Sequence, residues 1–487
     1  MSRIVVNKAF NQMLHDSVQA LPLTVAQGKG DLRRLSSAVG GLPDLFEPLA
    51  ALFMKRLAHC AVRTLLLAVP LLSAAAQASS LPTLIGTVLA VHPSLRAQRA
   101  LGASSQEAIN TAQWQFYPTL SVNMEQAHTS AQDMSYRAGN NRVTTVRLQQ
   151  PIWTGGRLTS SLNRAQAGVL AADASLAVAR QDLALRVVQT YADWYGGYIK
   201  TAAYEKSLQA HLRLRQQILQ RIAHGVSAAS DLTLVAGRIE QTQAELTTSQ
   251  AQQQAALSRL SQLSGTPVDG ATLASNLSRP LVLPEASQRM VEQAQSDSPT
   301  VARLIANVQI QEAEMATRKA ALSPEVYVRA ERQYGNFSMG NTPPQNRVFL
   351  GMSSGFGAGL SALSEVNGAQ ARLEAAHADV EVARVGLAEQ IWSDALLATA
   401  GNARMVALAA SLRSAQAISQ GWGRQFLAGQ KSWLDVMNAA RELAQGEVQM
   451  ADIKASQLLL TWRLALVVRG VDAATDPVKS PETKDIE

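Results

Sequence analysis

The sequence predicts a mainly α-helical fold with a small β part, arranged as two tandem structural repeats. Three observations lead to this prediction. Residues 152–266 and 345–476 contain no proline, and a set of motifs occurs twice along the chain. Aromatic residues make up only 5% of the 487 residues, while alanine, glutamine, serine and leucine recur throughout. This composition is typical of long, closely packed helices.

The repeat is defined by prolines, glycines and aspartates that recur at offsets of 204 to 206 residues. The matching pairs are Pro93 and Pro299, Pro118 and Pro324, Gly225 and Gly429, and Asp231 and Asp435. Self-similarity at a fixed offset indicates a duplicated structural unit. We therefore expect one repeat at residues 79–270, a second at 285–470, and a disordered tail at 471–487.

Each repeat is predicted to contain two strands followed by long helices. After Pro118, apolar residues alternate with polar ones, which is the period of a strand with one apolar face. The helices extend far beyond globular lengths, at about 1.5 Å per residue, so they must pack laterally as in coiled coils. The predicted elements are strands near 118–130, 143–153, 324–336 and 346–357, with long helices at 158–264 and 361–468.

The charge of the chain argues against nucleic-acid binding. The net charge is +7, but residues 79–487 carry 36 basic and 33 acidic side chains. Such a small excess over this length is not a phosphate-binding stripe. We predict no nucleic-acid partner.

A secretory signal peptide is predicted at residues 54–78. A basic leader precedes the short apolar run Thr64–Leu72, and Ala76-Gln77-Ala78 is a small-x-small cleavage site. The apolar run is about half the ~20 residues that a membrane-spanning helix needs. Residues 1–53 are interpreted as a mis-annotated or disordered extension. The single cysteine, Cys60, precedes the apolar run and is therefore interpreted as unlipidated.

The doubled order of these motifs resembles the TolC-type outer-membrane efflux and secretion channel family, over residues 81–470. The resemblance rests on the paired prolines, on Gln150–Arg157 (QPIWTGGR) after the second strand, and on the glycine–aspartate turns. It implies a homotrimer in which four transmembrane strands per chain form a 12-stranded β-barrel in the outer membrane. The helices would continue as a barrel into the periplasm.

By the same resemblance, the chain is an export channel in contact with outer-membrane lipid, a periplasmic adaptor (membrane fusion protein) and an inner-membrane ABC or proton-driven transporter. Many drug-efflux relatives carry a lipid-bearing cysteine, so its apparent absence favours type I protein secretion. The alternatives are small-molecule (drug or metal) efflux and, outside the channels, a periplasmic coiled-coil adaptor, which would lack the duplicated strand pairs.

The resemblance also implies a periplasmic aperture at the two helix–helix turns, with Gly225 and Gly429 as tip-turn glycines. Family pores are narrowed there by acidic rings and by bonds among Tyr, Arg and Asp side chains. In this sequence Asp435 matches an acidic ring, whereas Asn438, Phe426 and Lys431 replace an Asp, the Tyr and the Arg. Phe426 has no hydroxyl to donate. Asp231 and Asp435 also follow turns, where Asp caps helices, and both roles can hold.

Glycines and prolines are predicted to shape the passages between strands and helices. The second-strand exits contain glycines that permit a sharp change of direction. The predicted strand-to-helix hinge residues are Pro151, Gly155, Gly156, Gly355, Gly357 and Gly359, and the helix-to-strand prolines are Pro118 and Pro324.

The sequence contains only weak matches to catalytic, cofactor-binding and metal-binding motifs. Residues 351–355 fit the G-x-S-x-G motif around Ser353, but they lie in a predicted strand of the second repeat with no α/β sheet around it. Gly357 begins a match to a dinucleotide fingerprint, yet no second parallel strand follows. The five histidines after residue 78 form no close pair with a histidine or a cysteine. We predict no catalytic site, no cofactor and no metal site.

Overall fold

The computed structural model describes residues 80–127, 139–278, 287–339, 343–355 and 361–475. The predicted fold class is confirmed, because long helices and one four-stranded sheet make up most of this described part. Several predictions lie outside the described residues: the extension at 1–53, the signal peptide at 54–78, tail residues 476–487, Gly357 and Gly359.

The first repeat begins with two helices whose starts are set by proline. Pro93 stands at the first helical position, where its missing N–H costs nothing, and the His92 ring accepts the Ser94 N–H at 3.2 Å. Strands and two long helices follow. The elements are α1 (Leu81–Val91), α2 (Pro93–Trp114), β1 (Thr119–Gln126), β2 (Arg142–Trp153), α3 (Arg157–Ala223), α4 (Ala229–Ser264) and the short α5 (Gly270–Ser275).

The second repeat has the same order of strands and long helices. Its longest helix has 67 residues, as α3 has, and the next has 36, as α4 has. The elements are α6 (Ser287–Asp297), α7 (Pro299–Ala320), β3 (Glu325–Tyr334), β4 (Gln345–Ser353), α8 (Ser361–Leu427), α9 (Trp433–Val468) and α10 (Gly470–Thr475). Residues 471–475, predicted to begin a disordered tail, instead lie in the short helix α10, with Val471 and Ala474 buried.

The four strands form one antiparallel sheet in the order β1-β2-β3-β4. The pairing of β2 with β3 joins the two repeats. Across the sheet, Leu120 lies opposite Leu148, which pairs with Ala330, which in turn pairs with Val348. In the described sheet, β1 and β4 are edge strands, each with one side unpaired.

The register gives the sheet one apolar and one polar face, because successive side chains point to opposite sides. The apolar face carries Leu120, Val122, Met124, Val146, Leu148, Val326, Val328, Ala330, Val348, Leu350 and Met352. The polar residues of that face lie toward the ends of the strands and include Gln126, Arg142, Thr144, Gln150, Arg332 and Asn346. The opposite face carries Ser121, Asn123, Glu125, Thr145, Arg147, Gln149, Glu325, Tyr327, Arg329, Glu331, Gln333, Arg347 and Phe349.

Charges on the polar face are paired both across neighbouring strands and along one strand. The Arg147 Nε donates to Glu331 Oε1 at 2.7 Å, and the Arg329 Nε lies 3.1 Å from the same carboxylate oxygen. The Arg329 guanidinium also lies over the Phe349 ring, 4.7 Å from its centroid. This face is therefore suited to contact with water, whereas the opposite, apolar face is not.

The main core surrounds the middle of α3, which packs against α1, α2, α4, α7 and α9. Val188, Tyr191 and Trp194 of α3 are fully buried there, together with Leu81 and Leu84 of α1. Burial of each such large side chain contributes about 1.5–3 kcal/mol. The long helices are thus held by lateral packing, as their composition predicts.

Candidate functional site

The turns that join α3 to α4 and α8 to α9 have the same backbone structure. Gly225 and Gly429 both have φ of 75°, in the left-handed region that favours glycine. In the first turn, the Val226 N–H donates to the Arg221 carbonyl at 2.8 Å and the Gly225 N–H to the Ile222 carbonyl at 2.9 Å. The second turn repeats both bonds at the equivalent positions. This Schellman arrangement satisfies the last carbonyls of each helix.

Asp435 is fixed by a reciprocal capping box at the start of α9. The Ser432 hydroxyl accepts the Asp435 N–H at 3.2 Å. The Asp435 Oδ2 accepts the Ser432 hydroxyl at 2.9 Å and the Ser432 N–H at 3.2 Å. These hydrogen bonds, with a smaller contribution from the Lys431 charge, hold the pKa of the Asp435 carboxyl below its usual value. The carboxylate is therefore both oriented and kept ionised.

Asp231 lies at the equivalent place in the first repeat, but its surroundings differ. The N-cap of α4 is Ala228, which has no side-chain oxygen, and no side-chain cap is formed. Asp231 therefore has no N-cap serine with which to form the capping box that holds Asp435. Its charge still lies in the first turn of α4, where the helix dipole favours an acidic group.

Phe426, predicted at the aperture, lies inside the tip rather than at its surface. Its side chain is 2% exposed and packs among Ile218, Val235 and Met437. The guanidinium of Arg221 lies over the ring at 4.8 Å from the centroid, and its Nη1 donates to the Phe426 carbonyl at 3.2 Å. Phe426 thus connects the ends of α3 and α8 in place of a tyrosine hydrogen bond.

The sequence reasoning missed Arg221. The signal that points to it is its position as the basic residue in the last turn of α3, where a cation can reach helix carbonyls. The repeat does not help, because Gln425 stands at the equivalent position in α8. Its partner ring belongs to the other repeat, so the contact depends on tertiary packing.

Lys431 and Asn438 lie in different surroundings near the second turn. The Lys431 Nζ lies over the Trp422 ring, 4.6 Å from its centroid. Asn438 is exposed on α9, one turn beyond Asp435. Of the five predicted aperture residues, Asp435 and Lys431 influence each other electrostatically, whereas Phe426 is buried in a separate contact.

Next to the turns, a groove of about 420 Å³ lies between α3, α4 and α9. It is lined by Tyr204 and His211 of α3, Arg238 and Glu245 of α4, and Arg441 of α9. Burial, with the hydrogen bond to Glu245 and its charge, raises the pKa of the Tyr204 hydroxyl to about 12. Tyr204 is therefore a neutral donor to Glu245 at physiological pH.

His211 is almost completely buried beside this groove, at 4% exposure. Its Nδ1 lies 3.2 Å from the Thr242 hydroxyl oxygen, which donates its own proton to the Arg238 carbonyl at 2.9 Å. With that proton donated to the carbonyl, we assign the ring proton to Nδ1. Nε2 is buried and has no hydrogen-bond partner among the described residues. Burial, followed by the Arg238 charge, lowers the pKa of His211.

The strand-to-helix hinge is clearest in the first repeat. Gly155 has φ of 60°, and a Cβ at this position would lie 2.5 Å from the Ser323 Cβ. Gly156 has φ of 90° but open space around it. The pairing of β2 with β3 shifts register between Pro151 and Trp153. At Gly355, neither a positive φ nor crowding requires a glycine.

The two predicted helix-to-strand prolines each stand directly before a strand. Pro118 lies between the end of α2 and the first residue of β1, and Pro324 lies between α7 and the first residue of β3. A proline fits these positions because it cannot continue the preceding helix.

The nucleophile motif has no catalytic setting in the described residues. Ser353 is the last residue of β4, an antiparallel edge strand, and His377 lies on the long helix α8. A nucleophile elbow requires a strand-to-helix turn at the top of an α/β sheet. Ser353 is therefore interpreted as an ordinary strand residue of the sheet.

The described residues thus form a sheet with an apolar and a polar face, carried on paired helices of 67 and 36 residues. Residues 84–266 match the family model of the outer membrane efflux proteins. The match covers most of the first repeat. The second repeat lies outside the matched residues and is related to the first by the duplication. A comparison with curated protein sequences finds no match.

Solved structures share the fold across both repeats. The crystal structure of CusC is 16% identical, with a TM-score of 0.68, and the match covers 80% of this chain and 91% of CusC. The outer membrane protein VceC from Vibrio cholerae is 17% identical, with a TM-score of 0.67 and coverage of 80% and 96%. The outer-membrane channel OprN is 19% identical, with a TM-score of 0.66 and coverage of 80% and 89%.

These findings confirm the predicted resemblance to TolC-type channels. They also confirm the predicted fold class. The family match supports the predicted location in the outer membrane. The family is one of channel proteins rather than enzymes.

Proposed function

We propose that this chain is the subunit of a homotrimeric outer-membrane channel that exports substrates by docking to a periplasmic adaptor and an inner-membrane transporter. The observation that carries the proposal is the two-faced sheet. Its apolar face is exposed at Val122, Leu350 and Met352, whereas on its polar face two arginines are paired with one glutamate, Glu331. Barrels in the outer membrane present an apolar band to lipid and a polar interior to water.

The unpaired sides of β1 and β4 support assembly from several copies. In lipid, an edge strand leaves backbone N–H and C=O groups without partners, so a spanning sheet must close. Three copies supply twelve strands, an even number within the range of such barrels. A periplasmic adaptor, the non-channel alternative, has no use for this sheet.

The periplasmic mouth is proposed to lie at the turns that contain Gly225 and Gly429. Three-fold symmetry repeats each carboxylate around the axis, so Asp435 forms a ring that attracts cations. The capping box supports this role because it keeps the carboxylate ionised. Asn438, one turn further along α9, adds no charge.

The first test is electrical. Purified protein added to planar lipid bilayers should produce stepwise ion currents, because the polar faces of a closed sheet surround water. Protein that inserts into the bilayer but carries no current contradicts the channel.

The exported substrate is proposed to be a protein in type I secretion, on the ground that no lipid-bearing cysteine is apparent. Small-molecule efflux is the alternative, and it is supported by the name of the matched family. A deletion strain separates the two routes. Loss of a secreted protein from the medium, with unchanged drug and metal susceptibility, supports secretion, and the reverse result supports efflux.

A further inference from the structure

The apolar face of the sheet is charged at only two positions in the described strands, and both residues are arginines. Arg142 begins β2 and Arg332 lies near the end of β3, so both lie at the end of the sheet remote from the helices. Both side chains are exposed. Among the described residues neither forms a salt bridge, whereas on the polar face Arg147 and Arg329 share Glu331. Two positive charges therefore stand without a carboxylate on the face that is suited to lipid.

The edge of the apolar face at this end of the sheet slopes across the strands. From β1 to β4, the first polar residue of the face lies progressively nearer to the helices, by four residues in total over three strand spacings. This displacement is about 13 Å along the strands and about 14 Å across them, a slope of about 40°. The residues at the edge are Gln126, Thr144, Arg332 and Asn346.

The ends of the strands next to the helices slope by the same amount in the same direction. Thr119, the first residue of β1, is level with Phe349 through successive pairs, and β4 continues four residues further, to Ser353. Strands in membrane barrels are tilted by about 35–45°. With that tilt, both edges of the apolar band are parallel to the membrane, and the two arginines lie at its outer edge.

The contacts of the two arginines also place them at this edge. The Arg332 guanidinium lies over the Tyr334 ring, 5.2 Å from its centroid, and Tyr334 is two residues further from the helices. The Arg332 side chain therefore extends away from the apolar band, as long basic side chains do at a membrane surface. The Arg142 Nη2 donates to Gln126 Oε1 at 3.4 Å. A tyrosine at this level is typical of the aromatic girdle of membrane barrels.

We propose that Arg142 and Arg332 bind the phosphate groups of lipopolysaccharide, the phosphorylated glycolipid of the outer leaflet. Charge complementarity supports this occupant, because a guanidinium presents a planar fork of donors that matches phosphate oxygens. The neighbouring apolar residues favour a lipid over a soluble anion. Acyl chains that cover Ala330 and Val348 bring the lipid phosphates to the level of Arg332. This inference rests on the proposed outer-membrane channel and names a lipid that it binds.

Binding of rough-type lipopolysaccharide to the detergent-purified oligomer tests the proposal. The test variant combines Arg142→Gln with Arg332→Gln, which removes both charges and keeps polar side chains. Arg332→Gln alone is matched with Arg347→Gln, because Arg347 lies in the neighbouring strand pair but on the polar face. Native mass spectrometry counts the bound lipid molecules as the lipid concentration is raised.

The double variant should need at least about tenfold more lipid for half-saturation, because two charge-assisted contacts are lost. Arg332→Gln should weaken binding, and Arg347→Gln should bind as the wild-type protein does. The wild-type protein should bind dephosphorylated lipopolysaccharide at least about tenfold more weakly than the phosphorylated lipid. This comparison needs no variant, so it decides the question even if the double variant does not assemble.

Three results with an assembled oligomer overturn the inference alone. They are wild-type binding by the double variant, equal binding of the phosphorylated and dephosphorylated lipids, and displacement of the lipid by inorganic phosphate at the same concentration. The last result would identify a site for a soluble anion. A protein that forms no membrane channel overturns the proposed function together with this inference.

Discussion

At the residue scale, the tip of the helices contains groups whose roles depend on a single neighbour. Asp435 and Asp231 occupy equivalent positions, yet only Asp435 has a serine at the N-cap to share hydrogen bonds with, since Ala228 replaces it in the first repeat. The glycine–aspartate pattern predicted the turns. It could not predict that Phe426 would be buried beneath Arg221, because that contact joins residues 205 positions apart.

Replacement of Asp435 by Asn should reduce the cation selectivity of the channel and weaken block by multivalent cations. The substitution removes the ring charge and nearly preserves side-chain size. The matched control is Ser432→Ala, which removes the capping hydroxyl; an aspartate is ionised at neutral pH without it, so the ring charge and the selectivity should be retained. Reversal potentials in planar bilayers measure both. Unchanged selectivity in an assembled Asp435→Asn channel would leave Asp435 as a helix-capping residue alone.

His211 should make the α3–α4 packing sensitive to acid. Its pKa is lowered in the folded protein, so on acidification the unfolded chain takes up the proton first. Stability is therefore unaffected above the usual value of about 6.5 and is lost as the pH falls below it. Tyr204, Glu245, Arg238 and Arg441 share the groove, but the burial of His211 is the principal cause.

The measurement is the temperature at which the detergent-purified oligomer dissociates, at pH 7.5 and pH 5.5. The control is His211→Asn, which places an amide near the position of Nδ1 and does not titrate. The wild-type protein should lose more thermal stability on acidification than the variant. An equal loss in the two proteins would show that other groups cause the acid sensitivity.

At the element scale, the order of strands and helices could be predicted because local periodicity and duplicated prolines determine it. The long helical stretches follow from the absence of proline, the ends of α3 and α8 follow from the turns at Gly225 and Gly429, and the lateral packing of the helices follows from alanine and serine. The need for glycine at the hinge was less predictable. Gly155 is required by close approach to Ser323 of the other repeat, whereas Gly355 has open space, a difference that the sequence motif does not contain.

Gly155→Ala should impair assembly more than Gly156→Ala. Both positions have positive φ, which costs an alanine about 1–2 kcal/mol. At Gly155 the new Cβ also meets the Ser323 Cβ at 2.5 Å, so the hinge must shift. The measurement is the yield of heat-dissociable oligomer in membranes. Equal yields would show that the hinge tolerates this movement.

The two faces of β1 should respond oppositely to an added charge. Val122→Arg places a guanidinium on the apolar face and should cost about 2–4 kcal/mol if that face meets the middle of the bilayer. Its neighbour Ser121 lies on the polar face, so Ser121→Arg should insert normally. Folding into lipid vesicles, followed by gel mobility, measures both. A Ser121→Arg defect as large as that of Val122→Arg would contradict the assignment of the faces.

At the scale of the whole molecule, the two repeats are joined by the pairing of β2 with β3. The outer strands of the described sheet, β1 and β4, each have one unpaired side. The sequence predicts the duplication, and hence four strands. The unpaired sides of β1 and β4 and the exposed apolar side chains of α8, such as Trp392 and Leu396, are seen only in the structure. Exposure depends on which helices pack together, and the sequence alone does not show this. An incomplete sheet in a chain with this fold explains the need for further copies.

Native mass spectrometry of the detergent-solubilised protein tests the central claim most directly, that copies of this chain close one barrel. The account predicts a complex of three chains, because three four-stranded sheets give twelve strands and leave no edge in lipid. A stable, folded monomer or dimer as the principal species would contradict it.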